Sequence, residues 1–242
     1  MTTTSTVALR ASVPAGVRDL LAGPACSGSV LGHFPTALYV TVPRGFGVIA
    51  VLSRTAVRLP CGLQLTAPQL DLPADPGDVV VGNGAIRVGP VEIGAGRTVS
   101  MQVARRPDPP PALVRQAQRS VDRVDVDERL LGRGPGLTPS GDDVLAGYLV
   151  GAAAYGLPAD ELRALVHSQA HRRTTTLSAA LLRHAALGEA IPQVAGLLDA
   201  LGGGRRLDRA LAELLAVGHT SGAALAGGVL AAADAASSRI AA

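Results

Sequence analysis

The sequence predicts an α+β protein: a β-rich N-terminal domain, residues 1–110, of strand-and-turn character (barrel-like or sandwich), followed by an all-helical C-terminal domain, residues 111–242. Three observations carry this. From about Ser27 to Ala104 short Val- and Ile-rich runs are broken at close intervals by Gly, Pro and Asn. After Pro111 the apolar residues recur at helical spacing. Between the two lies Arg105 to Pro111, RRPDPPP, where proline both removes amide donors and restricts its neighbours, so the segment reads as a hinge or boundary.

Taken in order, Val13 to Leu21 suits a short helix. The strand candidates are GSVLGHF, TALYVTVP, FGVIAVLS, AVRLPCGLQL, DVVVGNGAIRVG and PVEIGAGRTVSMQV. VGNGAIRVG reads as a hairpin, because its glycines do not sit on a strand-to-helix turn as a dinucleotide fingerprint requires. Residues 66–78 read as a surface loop. In the second half, Ala112 to Leu131 has mostly helical spacing. Helices are also expected within Pro158 to His184, interrupted by Thr174, Thr175, Thr176 and Ser178, and at Ile191–Leu201, Leu207–Val217 and about Ser221–Ser237.

Composition excludes several function classes. All 22 basic residues are arginine, so Schiff-base, pyridoxal and P-loop chemistry, which need a lysine amine, are set aside. Net charge is only +3 and aromatic residues make up 2% of the chain, which argues against nucleic-acid binding by base stacking. Two cysteines, Cys26 and Cys61, are too few for a metal framework and read as small buried residues. No apolar leader opens the chain and no run is long enough to span a bilayer, so a cytoplasmic protein without membrane contact is expected.

Residues 132–156, GRGPGLTPSGDDVLAGYLVGAAAYG, concentrate the chemistry. Gly132, Gly134 and Gly136 alternate around Arg133 and Pro135, so the loop can take positive φ and expose its amides. A helix follows, with Thr138 as N-cap ahead of Pro139, or with Ser140 and Asp143 as a capping box. A helix start behind a glycine loop favours phosphate or carboxylate. Asp142 and Asp143 would repel that anion unless an arginine, an amide or a metal lies between, so Mg2+ is the cofactor of an alternative, phosphoryl-transfer reading. Read blandly, these residues only cap a helix.

A weak internal echo accompanies this stretch. TPSGDDVLAGYLVGAAA and HTSGAALAGGVLAAADA align without gaps, each opening an apolar helix with Ser-Gly. If the two helices pack through their glycine faces with N-termini together, they form one anion pocket. Candidate substrate-binding residues are therefore Gly134, Gly136, Thr138, Ser140, Gly141, Arg172, Thr174, Thr175, Ser178, Thr220 and Ser221. Candidate catalytic residues are Asp142, Asp143 and His219. The alternatives are a solvated face for Arg172, an N-cap for Thr174 to Thr176 and a backbone-bonded helix end for His219. His167 and His171 are spaced for zinc but lack a third ligand.

GLTPSGDD at 136–143, TTTLSAALLRHAALGE at 174–189 and GHTSGAALAGGVL at 218–230 resemble a family of bacterial proteins that includes the AllH-type subunit of oxamate carbamoyltransferase. The resemblance implies a transferase reaction in which carbamoyl phosphate and oxamate interconvert with oxalurate and phosphate, in allantoin and purine nitrogen use. It also implies partner subunits. From the residues alone, a homo-oligomer and a non-catalytic anion-binding module remain open beside it.

Overall fold

A computed structural model describes residues 7–73, 75–203 and 206–239. The chain is α+β, and it divides into two compact units between Met101 and Gln102.

Among its described residues the first unit contains eight strands: β1 (Val7–Pro14), β2 (Cys26–His33), β3 (Ala37–Thr41), β4 (Val48–Leu52), β5 (Gly62–Gln64), β6 (Val79–Gly82), β7 (Ala85–Val88) and β8 (Val91–Val99). They close into a barrel in the order β1-β5-β4-β3-β2-β6-β7-β8. Closure is made by β8 running parallel to β1, and β4 and β5 are the other parallel pair. Barrel-like is thus the correct member of the expected pair. The interior is filled by β-branched and leucine side chains, among them Val13, Leu38, Val40, Ile49, Leu63, Ile86 and Ile93, all fully buried.

The β6–β7 hairpin turns through Asn83 and Gly84, both at positive φ as a two-residue turn of this hand demands. The described residues of the loop expected at 66–78, namely 66–73 and 75–78, are irregular, as a surface loop should be. The start of the chain differs from expectation. Val13 and Pro14 belong to β1, and the helix α1 spans Ala15–Ala22, because Pro14 is extended at ψ 156° and the pairing of β1 with β8 continues to Pro14 and Val99. AVRLPCGLQL yields only the three residues of β5.

The second unit contains α2 (Pro111–Ala117), a 3-10 turn (Glu128–Leu130), α3 (Ser140–Tyr155), α4 (Asp160–Arg173), α5 (Thr176–Ala186), α6 (Pro192–Leu201), α7 (Leu207–Leu215) and α8 (Ser221–Ser237). The helix expected over Ala112–Leu131 ends at Ala117. Beyond it comes VDRVDVD, whose β-branched and Asp residues disfavour continuing the helix. Among the described residues no helix is long and apolar enough to cross a membrane.

Helices α3 and α8 form the centre of this unit. A Cβ on Gly147 would lie 2.2 Å from the Leu225 carbonyl oxygen, and one on Gly228 would lie 2.0 Å from the Val144 carbonyl oxygen. The two contacts are counterparts: Gly147 aligns with Gly228 and Val144 with Leu225 in the echo noted above. Backbone therefore packs on backbone, and the helices run parallel with their starts at one end. The other end of α3 closes at Gly156, in the left-handed region at φ 68°, where Arg105 Nη1 and the Arg106 amide donate to the carbonyls of Ala153 and Ala154.

Candidate functional site

The glycine loop is held from two sides. Gly132, Gly134 and Gly136 all take positive φ. A Cβ on Gly132 would stand 1.9 Å from the Arg173 carbonyl oxygen, so only glycine lets the loop lie on the end of α4. The Gly132 amide donates to Asp142 Oδ1 at 2.6 Å, and the Gly141 amide donates back to the Arg133 carbonyl at 2.8 Å.

This arrangement changes the role of the acidic pair. Neither expected cap forms: Pro139 occupies the N-cap position of α3 and no side chain caps it. The physical reason is that the loop's own backbone serves the helix start, which releases Thr138 and the aspartates for contacts elsewhere. Thr138 Oγ1 lies 3.2 Å from Ser221 Oγ at the start of α8. Asp142, 1% exposed, uses Oδ2 to accept from Ser178 Oγ at 2.6 Å and from Thr174 Oγ1. Thr175 caps α5 by accepting from the Ser178 amide at 3.1 Å, and its hydroxyl donates to the Leu137 carbonyl at 2.5 Å.

The three segments far apart in sequence thus meet at the starts of α3, α5 and α8. The first amide of each helix, on Ser140, Thr176 and Ser221, has no acceptor among the described residues, nor have the amides of Gly134 and Gly136. Unpaired amides at a helix start are complementary to a small anion.

Asp143 behaves differently from Asp142. It is 8% exposed, and its Oδ2 is buried without a hydrogen-bond partner. Burial pushes its carboxyl up to about 7; the neighbouring Ser221 hydroxyl opposes the shift and the Asp142 charge adds to it. The two adjacent carboxyls therefore differ: Asp142 is held by three donors, and Asp143 is left to carry a proton near neutrality.

The remaining candidates flank this junction. His219 and Thr220 are exposed and immediately precede Ser221. Arg172, on the last turn of α4, is exposed and makes no ion pair or hydrogen bond among the described residues, whereas Arg173 donates to the Glu128 carbonyl and to Gln169. His167 and His171 are exposed, and no group of three or more His, Cys, Asp or Glu among the described residues is placed to hold a metal ion. Both Asp142 oxygens are already filled by N–H and O–H donors, a poor arrangement for a Mg2+ ligand.

Sequence reasoning missed a cavity of about 970 Å³ in the same unit, lined by Val124, Asp125, Glu128, Tyr148, Glu161 and Leu165 among others. It touches the middle of α3, not its start. The acidic alternation of VDRVDVDE and PADEL was its only signal, since the two stretches are brought together by folding alone.

Residues 130–233 match the family described as oxamate carbamoyltransferase subunit AllH. That span lies wholly within the helical unit and takes in each of the three segments whose side chains meet. No solved structure matches the chain.

Proposed function

We propose that this chain is a subunit of an oxamate carbamoyltransferase-type enzyme, and that its helical unit binds a small anionic substrate where α3, α5 and α8 begin. The family match supports this reaction class. The observation that carries the site is the reach of Asp142 to Gly132, Thr174 and Ser178, which gathers the glycine loop and two helix starts at one point.

The chemistry asked of such a site is modest. In carbamoyl transfer the oxamate nitrogen bonds to the carbamoyl carbon, the C–O bond to phosphate breaks, phosphate leaves with the electron pair, and one nitrogen proton must be removed. No covalent nucleophile is needed; alignment and stabilisation of the leaving anion do most of the work. Here the free amides of Ser140, Thr176 and Ser221, the hydroxyls of Thr138 and Ser221, and Arg172 hold the anion. Gly134 and Gly136 let backbone approach it, Gly141 packs the helix start onto the carbonyls of Leu130 and Arg133, Thr220 adds a hydroxyl, and Asp142 positions the frame. Asp143 and His219 are the groups for proton transfer.

A second reading keeps the anion site but places the chemistry on a partner subunit, or on another copy of this chain. It is favoured by one feature: His219 is solvent-exposed and hydrogen bonded to neither aspartate, so no acid–base pair is assembled.

Calorimetric titration with oxamate, carbamoyl phosphate and phosphate, with and without Mg2+, tests the site. Binding without Mg2+ is expected. Transfer assayed on the purified chain, then with partner subunits added, separates the two readings: turnover by the chain alone supports the first, and turnover only on addition supports the second.

A further inference from the structure

We infer that the anion site takes up its ligand together with a proton held on the Asp143 carboxyl; this rests on the small-anion reading above. The geometry divides the two aspartates sharply. Asp142 has three donors, one on Oδ1 and two on Oδ2. Asp143 stands next to it, nine-tenths buried, with Oδ2 facing no donor. A desolvated carboxylate oxygen without a partner is costly, while a neutral carboxylic acid in the same place costs far less.

The surroundings offer little compensating charge. On α3 the charged neighbour is Asp142, which disfavours ionisation. On α8 the facing group is the Ser221 hydroxyl, and the next charge along that helix is Asp234. The first two turns of α5 carry no charged residue. Glu128 and Arg129 of the 3-10 turn, Arg133 of the glycine loop, Arg172 and Arg173 of α4, and His219 before α8 are all exposed, so solvent screens them. On α6 the charged residue is Asp199, paired with Arg106.

An anion arriving at the three helix starts adds negative charge beside Asp143 and strengthens its hold on the proton. By linkage, the proton must then strengthen the anion by the same factor. This resolves the apparent conflict of a doubled aspartate at an anion site. One carboxylate has its oxygens satisfied by hydrogen bonds, and the other is neutralised by a proton.

The test is titration of the whole chain with oxamate across pH 6 to 9, in buffers of differing ionisation enthalpy. The carboxyl of this probe, bonded directly to an electron-withdrawing carbonyl, is more acidic than an ordinary carboxyl and stays charged throughout. The expected Kd is level at low pH and weakens above about 7, by up to about tenfold per pH unit. Buffer-dependent heat should report net proton uptake. Asp143→Asn should bind oxamate with a flat profile, and His219→Gln should keep the slope.

A flat profile in the native chain overturns the proton inference and leaves the anion site standing. A slope that survives Asp143→Asn, or vanishes in His219→Gln, also overturns it. No oxamate binding at any pH removes the site itself. Should Asp143→Asn not fold, the native chain and His219→Gln decide: proton uptake in both supports the inference, and its absence in either refutes it.

Discussion

Ser178 Oγ donates to Asp142 Oδ2 at 2.6 Å across 36 positions of sequence, and through this bond the start of α5 is fixed to the start of α3. Both groups are buried, so the bond is made in a medium where losing a partner is expensive. Ser178→Ala should lower stability by about 1–2 kcal/mol, and Asp142→Ala, which strands three donors, by about 3 kcal/mol or more. Urea unfolding measures both. Because the two share one network, the double variant should cost less than the sum.

The glycine contacts between α3 and α8 give a prediction with an internal control. Alanine usually stabilises a helix interior by about 1 kcal/mol over glycine. At Gly147 and Gly228 the added carbon would overlap facing backbone, so Gly147→Ala and Gly228→Ala should instead destabilise by about 2–3 kcal/mol. Gly196 in α6 has nothing within 4 Å of its added Cβ. Gly196→Ala should therefore raise the thermal midpoint while the other two lower it.

Asp143 predicts a dependence of stability on pH. Its folded carboxyl is raised to about 7 from 3.8. Between these values the folded state binds more protons than the unfolded one, so stability falls as pH rises through that window and levels above it. Asp143→Asn should be more stable than the native chain at pH 8 and lose this advantage near pH 4. Thermal melts at the two pH values check the sign.

Arg172 is exposed and has no partner to lose. Arg172→Gln should weaken oxamate binding several-fold while leaving the melting temperature within about 1 °C, since surface substitutions of this kind change stability little. Equal loss of binding and stability would assign it to the scaffold.

Much of this architecture was legible because it is written locally. Short Val- and Ile-rich runs between turn residues mark β2 to β4 and the β6–β7 hairpin, and small-residue apolar runs behind Ser-Gly mark α3 and α8. The echo between those helices was legible too, and its counterpart contacts at Gly147 and Gly228 give it a structural basis. Three features were not readable. Val7–Pro14 carries Arg10 and Ser12 among its apolar residues, and its strand identity comes from pairing with β8, about 84 residues on. The irregular stretch after Ala117 looked helical until its β-branched and Asp residues are weighed. Most consequential, Asp142 and Asp143 are indistinguishable in sequence; their different fates depend on donors 10, 32 and 36 positions from Asp142.

The most direct test of the anion site is residue-resolved amide NMR during titration with carbamoyl phosphate. The account predicts that the amides of Ser140, Thr176 and Ser221 shift together with one binding curve, along with those of Gly134 and Gly136. Shifts confined to the cavity lined by Val124, Tyr148 and Leu165, or no saturable shifts at all, would contradict it.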